Sequence, residues 1–322
     1  MTSQDLDADP FPEDDWPCDP RPFLREAEWD VATLKKRTAV RDLTRLARNG
    51  YDLFFNLCDG AADEKTPGIE VVQALERMGV PFTGATSEFY EPSRERMKQA
   101  CLEQGIATPA YVIAYSDEDV ERAASTLRFP LFVKHYSSYA SVALSRRSRV
   151  RTPAGLRQQA RKIIKRFKAA LIEEYIEGIE CTVLVAENPD DPRHPRTYTP
   201  MQYRFPKGES FKHADMKWVD YGALSSFPVE DPVLDARLRD VSARFFVALD
   251  GASFGRCDLR VDPEGTPYML EINPNCGVYY PPTDPGSADL CLARDPEGHE
   301  GFTRQLVEAA LRRHARRIEA SS

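Results

Sequence analysis

Arg256, Asp258, Glu271 and Asn273 lie in RCDLRVDPEGTPYMLEINPNCG (256–277), at spacings that would gather oxygen ligands beside a cation. Two alternating segments flank Asp262-Pro263-Glu264-Gly265, a turn-forming tetrapeptide, and predict a β-hairpin. Side chains two apart share a strand face, which groups Arg256 with Asp258 and Glu271 with Asn273. Pairing Val261 with Thr266 sets Asp258 opposite Met269 and diagonal to Glu271, with all four polar groups on one side. Diagonal neighbours are ~7–8 Å apart, close enough for two carboxylates to meet at one cation. Two carboxylates and an amide oxygen suit Mg²⁺ carrying phosphates. Arg256 beside them would offset charge on a transferring phosphoryl group. A solvated polar face is the plain alternative. The opposite face (Cys257, Leu259, Leu270, Ile272) argues against it, because its apolar side chains predict a sheet packed on that side.

The elements that must position this hairpin belong to a chain of 322 residues, enough for a substantial core and two or three subdomains. Hydrophobic residues make up 42% and charged residues 29%, and the net charge of −8 argues against a nucleic-acid or anionic-membrane binder. The basic run RQQARKIIKRFK (157–168) reads as the outer face of an amphipathic helix, with Ile163, Ile164 and Phe167 as its buried stripe. No segment approaches the ~18 apolar residues of a membrane span, and the acidic N-terminus has no signal-peptide core. Seven cysteines without paired spacing predict reduced thiols in a cytoplasmic protein, with Cys257 and Cys276 as packing residues.

Residues 1–30 are rich in Pro, Asp and Glu and predict an irregular acidic segment. Residues 31–108 predict a small α/β domain. It holds a helix ending at Gly50, a buried strand YDLFFNL, a helix after Pro67, and a second strand VPFTG, in the rhythm of a parallel sheet. Residues 109–179 alternate strands and helices, with Ser116 as an N-cap and FPLFVKH, ALSRRSRV and AALIEEYI as strands, and predict a small α+β lid. Residues 180–322 predict a larger domain with ECTVLVAE, a helix near 231–249, the hairpin and a basic C-terminal helix from about Phe302.

Arg-x-Asp, a short hairpin and Glu-x-Asn-x-x-x-Gly resemble the metal-binding core of the ATP-grasp ligases, most closely the D-alanine–D-alanine ligase branch. FFNLCDG, GIEVVQALERMGVPFTGA, SRERMKQACLEQGIATPAYV, FPLFVKH, LIEEYIEGIECTV and DMKW follow in the order expected of that branch, from about Tyr51 to the C-terminus. The resemblance implies an ATP-grasp fold of mixed α/β and α+β class, with ATP held between the lid and the larger domain. It also implies Mg²⁺ (two ions, with Mn²⁺ as an alternative) on Asp258, Glu271 and Asn273, and a homodimer acting on small molecules alone. Lys98, Lys134 and Lys217 would bind the phosphates, together with Ser141 of YSSYASVALS (136–145), a loop without the usual glycines. EEYIEGIE (173–180) resembles the interdomain hinge that grips adenosine: Glu173 would lie near the adenine amine, the backbone of Tyr175 and Ile176 would face the adenine edge, and Glu180 would accept the ribose hydroxyls. Arg256 and Lys217 would be catalytic.

Two departures bear on substrate. The branch's first strand and Gly-rich turn are not found here, and Pro282 stands near the serine that holds the acceptor carboxylate. D-alanine is therefore not the expected acceptor. Tyr279 and Tyr280 after Gly277 suggest a larger or aromatic-lined pocket, with packing as the alternative reading. Glu70 would face a substrate amine, and Arg204 a substrate carboxylate. Together these residues predict an ATP-dependent carboxylate–amine ligase working through an acyl phosphate. A small-molecule kinase or a non-catalytic ATP-binding module are the alternatives on the same machinery.

Overall fold

The computed structural model describes residues 18–61, 65–136, 144–211 and 224–321. Its architecture is two antiparallel sheets with helices packed on them. β1 (Tyr111–Ala114), β2 (Leu131–His135), β3 (Arg149–Val150) and β4 (Ala170–Glu174) form the smaller sheet, in the order β1-β4-β2-β3. β5 (Ile179–Ala186), β6 (Arg196–Thr197), β7 (Met201–Arg204), β8 (Ser225–Pro228), β9 (Phe254–Val261) and β10 (Pro267–Pro274) form the larger. Its order is β10-β9-β5-β7-β8, with β6 also pairing with β5.

Local chemistry sets the helix starts. Ser116 and Asp119 form a reciprocal capping box at the helix Asp117–Thr126. Thr152 and Asp231 cap the helices Pro153–Phe167 and Pro232–Ala248, each with proline in its first turn. Ser93 accepts from the Arg96 N–H at the head of the helix Arg94–Glu103. On Pro153–Phe167, Leu156, Ala160 and Ile163 are buried, while Arg157 and Arg161 pair with Glu121 and Asp117 on the outside. That is the predicted amphipathic helix.

The main core joins Val71, Val72 and Leu75 of the helix Ile69–Met78, Met97 and Cys101 of Arg94–Glu103, and Phe245 and Phe246 of Pro232–Ala248 to the larger sheet. A second cluster lies under the C-terminal helix Gly298–Ser321, and a third inside the smaller sheet and its helices. Arg316 of the C-terminal helix pairs at 3.1 Å with Glu187, which is 3% exposed, and Arg313 pairs with the same carboxylate. Glu187 thus ties two arginines of that helix to the end of β5 in the larger sheet.

Two expectations need correction. The parallel sheet of the N-terminal part reduces to single bridges, Phe54 with Phe82 and Gly60 with Gly68, both parallel. Local side chains end the ladder, since the Asn56 N–H donates to Thr83 Oγ1 and Asn56 Oδ1 takes the Cys58 N–H. ALSRRSRV is a strand only at Arg149–Val150, because Arg146–Ser148 form a 3₁₀ turn capped by Ser145. The described part of the acidic N-terminal segment is irregular apart from the turn Arg21–Phe23, and it is docked. Asp19 N–H donates to Tyr279 O, and Phe23 stacks on His299.

Candidate active site

β9 runs between β5 and β10, so its outward side chains are flanked on both sides. Asp258 faces Thr182 on one neighbour and Glu271 on the other, and Arg256 faces Leu184 and Asn273. The register differs from the expected one. Val261 pairs with Pro267, and Leu270 is an extra residue between Met269 and Glu271, a β-bulge that brings Glu271 directly opposite Asp258. The bulge also swaps core residues, for Met269 is fully buried and Leu270 only half-buried. A segment before β1 meets the sheet here. Met269 N–H donates to Ala107 O at 2.8 Å, and Thr108 Oγ1 donates to Met269 O at 2.9 Å.

The four hairpin groups come together as the spacing predicted. Arg256 donates Nε and Nη2 to Asp258 at 3.0 and 2.9 Å, Asn273 Nδ2 donates to Asp258 at 3.0 Å, and Thr182 Oγ1 donates to it at 2.8 Å. Glu271 takes the guanidinium of Arg94. Burial would raise the Glu271 carboxyl, but Arg94 and then Lys134 hold it below the ordinary range. Asp258 raises it in turn, as a neighbouring like charge must. No three His, Cys, Asp or Glu side chains cluster as a metal centre among the described residues. The candidate centre is instead two carboxylates and an amide, whose hard oxygens fit a divalent cation. Each carboxylate already holds an arginine, so the site's demand for positive charge shows in its own contacts.

A second cluster lies where the sheets meet. Glu173 sits between two ammonium groups, Lys98 at 2.6 Å and Lys134 at 2.7 Å. Burial would raise this carboxyl, yet Lys134 and Lys98 hold it at about 2. Lys98 is 1% exposed and also donates to Thr108 Oγ1 at 2.8 Å. Burial lowers its pKa, and Glu173 opposes that shift. Glu173 thus faces two lysines rather than the open edge of the hinge, and Lys98 holds Glu173 and the linker. Lys134, 9% exposed at the end of β2, joins this cluster electrostatically to Glu271.

The 175–178 hinge is more occupied than expected. Tyr175 N–H donates to Pro130 O at 2.9 Å, and Ile176 O accepts from Arg260 Nε at 2.6 Å. Arg260 also donates to Gly178 O at 2.8 Å and Ser210 O at 2.9 Å, and lies 3.4 Å from Glu180. Its guanidinium and that of Arg149 lie 4.7 and 4.2 Å from the Tyr175 ring centre. Gly178 is required there. Its φ is +132°, and a Cβ would meet Val261 O at 1.9 Å. Arg260→Met should cost about 2–3 kcal/mol, because three carbonyls lose a buried donor. Urea unfolding measures this, and an unchanged midpoint would show that the carbonyls find other partners.

Other expected substrate residues fall differently. Tyr279 is 3% exposed, bonds Thr303 through its hydroxyl and takes φ +68°, so it packs the core instead of lining a pocket. Tyr280 lies against Gly277, where a Cβ would meet its ring at 2.6 Å. Arg204 is exposed, with its guanidinium over the Phe227 ring. Glu70, in the first turn of Ile69–Met78, keeps a buried Oε1 without a hydrogen-bond partner among the described residues. Ser141 and Lys217 lie outside the described residues. Burial raises the thiols of Cys58 and Cys276 to about 12, which keeps them protonated, and no cysteine is in a disulfide.

Three side chains in or beside the candidate site escaped the sequence reading. Arg94 occupies a first helical turn, where the helix dipole disfavours a cation, and that is a sign of an anionic partner. Thr182 interrupts a buried apolar strand. Arg260 continues the face of Arg256 and Asp258 at period two.

The family model described as D-ala D-ala ligase C-terminus matches residues 102–280, which contain the hinge, Lys134 and the hairpin. A D-alanine–D-alanine ligase of Azoarcus sp. (strain BH72) is 32% identical over 247 residues, 74% of this chain and 75% of that one. The chain belongs to the D-alanine–D-alanine ligase family. It is thus an ATP-dependent, ADP-forming carbon–nitrogen ligase with the ATP-grasp fold. Among solved structures, the D-alanine–D-alanine ligase from Coxiella burnetii has a TM-score of 0.65 at 18% identity, covering 84% of this chain and 70% of that one. The Bacillus anthracis enzyme complexed with ATP has a TM-score of 0.62 at 18% identity, covering 86% and 85%. No helix among the described residues is long and apolar enough to cross a membrane.

Proposed function

We propose that this ligase joins the carboxylate of one amino-acid-like substrate to the amine of another through an acyl phosphate, and that the pair is not two D-alanines. The observation that carries the reading is the hairpin: the cross-strand pair Asp258–Glu271 has Asn273 and Arg256 on the same face and Lys134 close by. Asp258, Glu271 and Asn273 would hold Mg²⁺ (two ions, or Mn²⁺), which when bound offsets phosphate charge. Lys134 would hold the transferring phosphoryl group, and Lys217 would share that task. The γ-phosphoryl moves to the substrate carboxylate, ADP leaves, and the amine attacks the acyl carbon to expel phosphate. Arg256 would stabilise the oxyanion of that second step. Glu180 would hold the ribose, and the Ile176 backbone would meet the adenine edge.

The acceptor preference rests on Pro282, which is exposed in the turn closed by Asp284 N–H to Pro281 O at 2.8 Å. A proline there has no hydroxyl for the acceptor carboxylate. The buried Glu70 Oε1, without a hydrogen-bond partner among the described residues, supports a role in holding a substrate amine. The test is an ATP-dependent phosphate-release screen over amino-acid pairs, D-alanine included, with mass analysis of any condensed product. An amide product from a pair other than D-alanine supports the reading. D-Ala-D-Ala as the preferred product would overturn the acceptor assignment. ADP with a phosphorylated substrate and no amide would point to a kinase, and no turnover at all to a binding module.

A further inference from the structure

Both carboxylates of the candidate metal centre are neutralised by arginine, but the two arginines differ in origin. Arg256 is two residues from Asp258 on the same strand. Arg94 reaches Glu271 across 177 residues of sequence, from the first turn of Arg94–Glu103. A cation there is opposed by the helix dipole, and the Arg94 side chain is only 10% exposed, so its partner must hold it in place. The carboxylate it holds is one the metal centre needs. Its guanidinium and a divalent cation compete for the same negative charge. ATP, with its polyphosphate, supplies a second anion to which an arginine can turn.

We propose that Arg94 is a counter-ion latch on Glu271. It holds the carboxylate in the nucleotide-free protein and excludes free divalent cation, so that metal loads together with the polyphosphate. Arg94 is then a positioning residue, and the inference rests on Asp258, Glu271 and Asn273 being the metal centre.

The test is Mn²⁺ binding to the full chain, followed by the electron paramagnetic resonance of unbound Mn²⁺, with and without a non-hydrolysable ATP analogue. In the wild type the analogue tightens Mn²⁺ binding at least about tenfold, an ordinary size for coupling between two ligands. Arg94→Gln tightens binding of Mn²⁺ alone about tenfold and shrinks the effect of the analogue, while Arg94→Lys behaves as wild type. Arg94→Gln binding free Mn²⁺ no more tightly than wild type would overturn the latch. Glu271→Ala separates the two ideas. If it retains Mn²⁺ in the presence of the analogue, the metal-centre reading fails. If it loses Mn²⁺ while Arg94→Gln matches wild type, only the latch fails. Should Arg94→Gln not fold, wild type binding Mn²⁺ equally tightly with and without the analogue still overturns the proposal.

Discussion

Glu271→Ala should lower ATP-dependent turnover on the order of 10³-fold, the scale of removing a preorganised charge-stabilising group from a transfer site. The fold should persist. Glu271 sits at the surface end of its pair, with 22% of the side chain exposed, and its apolar neighbours Met269 and Ile272 remain buried. Arg94 would lose this carboxylate, which should cost about 1–3 kcal/mol, well short of unfolding a chain of this size. Glu271→Gln keeps the shape and removes the charge, and should lose nearly as much activity. ADP formation over the amino-acid panel measures turnover, and circular dichroism checks the fold. Full activity in Glu271→Ala would remove the metal assignment.

Glu173→Gln should be the most destabilising single change at the site. It leaves Lys98 and Lys134 facing each other without the carboxylate between them, and breaking a buried pair of this kind costs about 3–5 kcal/mol. The pH dependence has a definite sign. The folded-state carboxyl lies at about 2, below its ordinary 4.5, so its contribution is present above about 4.5 and is lost as the pH falls towards about 2. The loss over that window is on the order of 3 kcal/mol. Urea unfolding from pH 7 down to pH 2 should show a fall in stability in the wild type that is shallower in Glu173→Gln. Parallel profiles would mean that other carboxylates carry the acid response.

The hairpin was legible because alternation and a turn tetrapeptide are local signals, and so was the grouping of Arg256, Asp258, Glu271 and Asn273. Its register was not. The bulge at Leu270 lies beside Met269, whose backbone bonds the 107–108 segment, a contact that no local pattern encodes. The N-cap at Ser116 read true, whereas Pro67 lies just before the N-cap Gly68 and not in the helix's first turn. Lys134 was legible through the family resemblance. Its partner Glu173 was read as part of the hinge instead, because nothing local says which face of β4 meets Lys98. Arg94 and Arg260 act through partners 177 and 84 residues away. Tyr279 looked available as a pocket residue until its positive φ and its bond to Thr303 placed it in the core. The expected parallel sheet is limited to parallel bridges where Asn56 and Thr83 side chains take over the backbone bonding.

The most direct test of the chemistry assigned to the hairpin is oxygen transfer. The protein is supplied with ATP, Mg²⁺ and amino acids labelled with ¹⁸O in their carboxylates, and the released phosphate and condensed product are examined by mass spectrometry. An acyl phosphate requires one labelled oxygen to leave with the phosphate as the amide forms, and Glu271→Ala should give neither. An amide accompanied by unlabelled phosphate, or full label transfer in Glu271→Ala, would contradict the account.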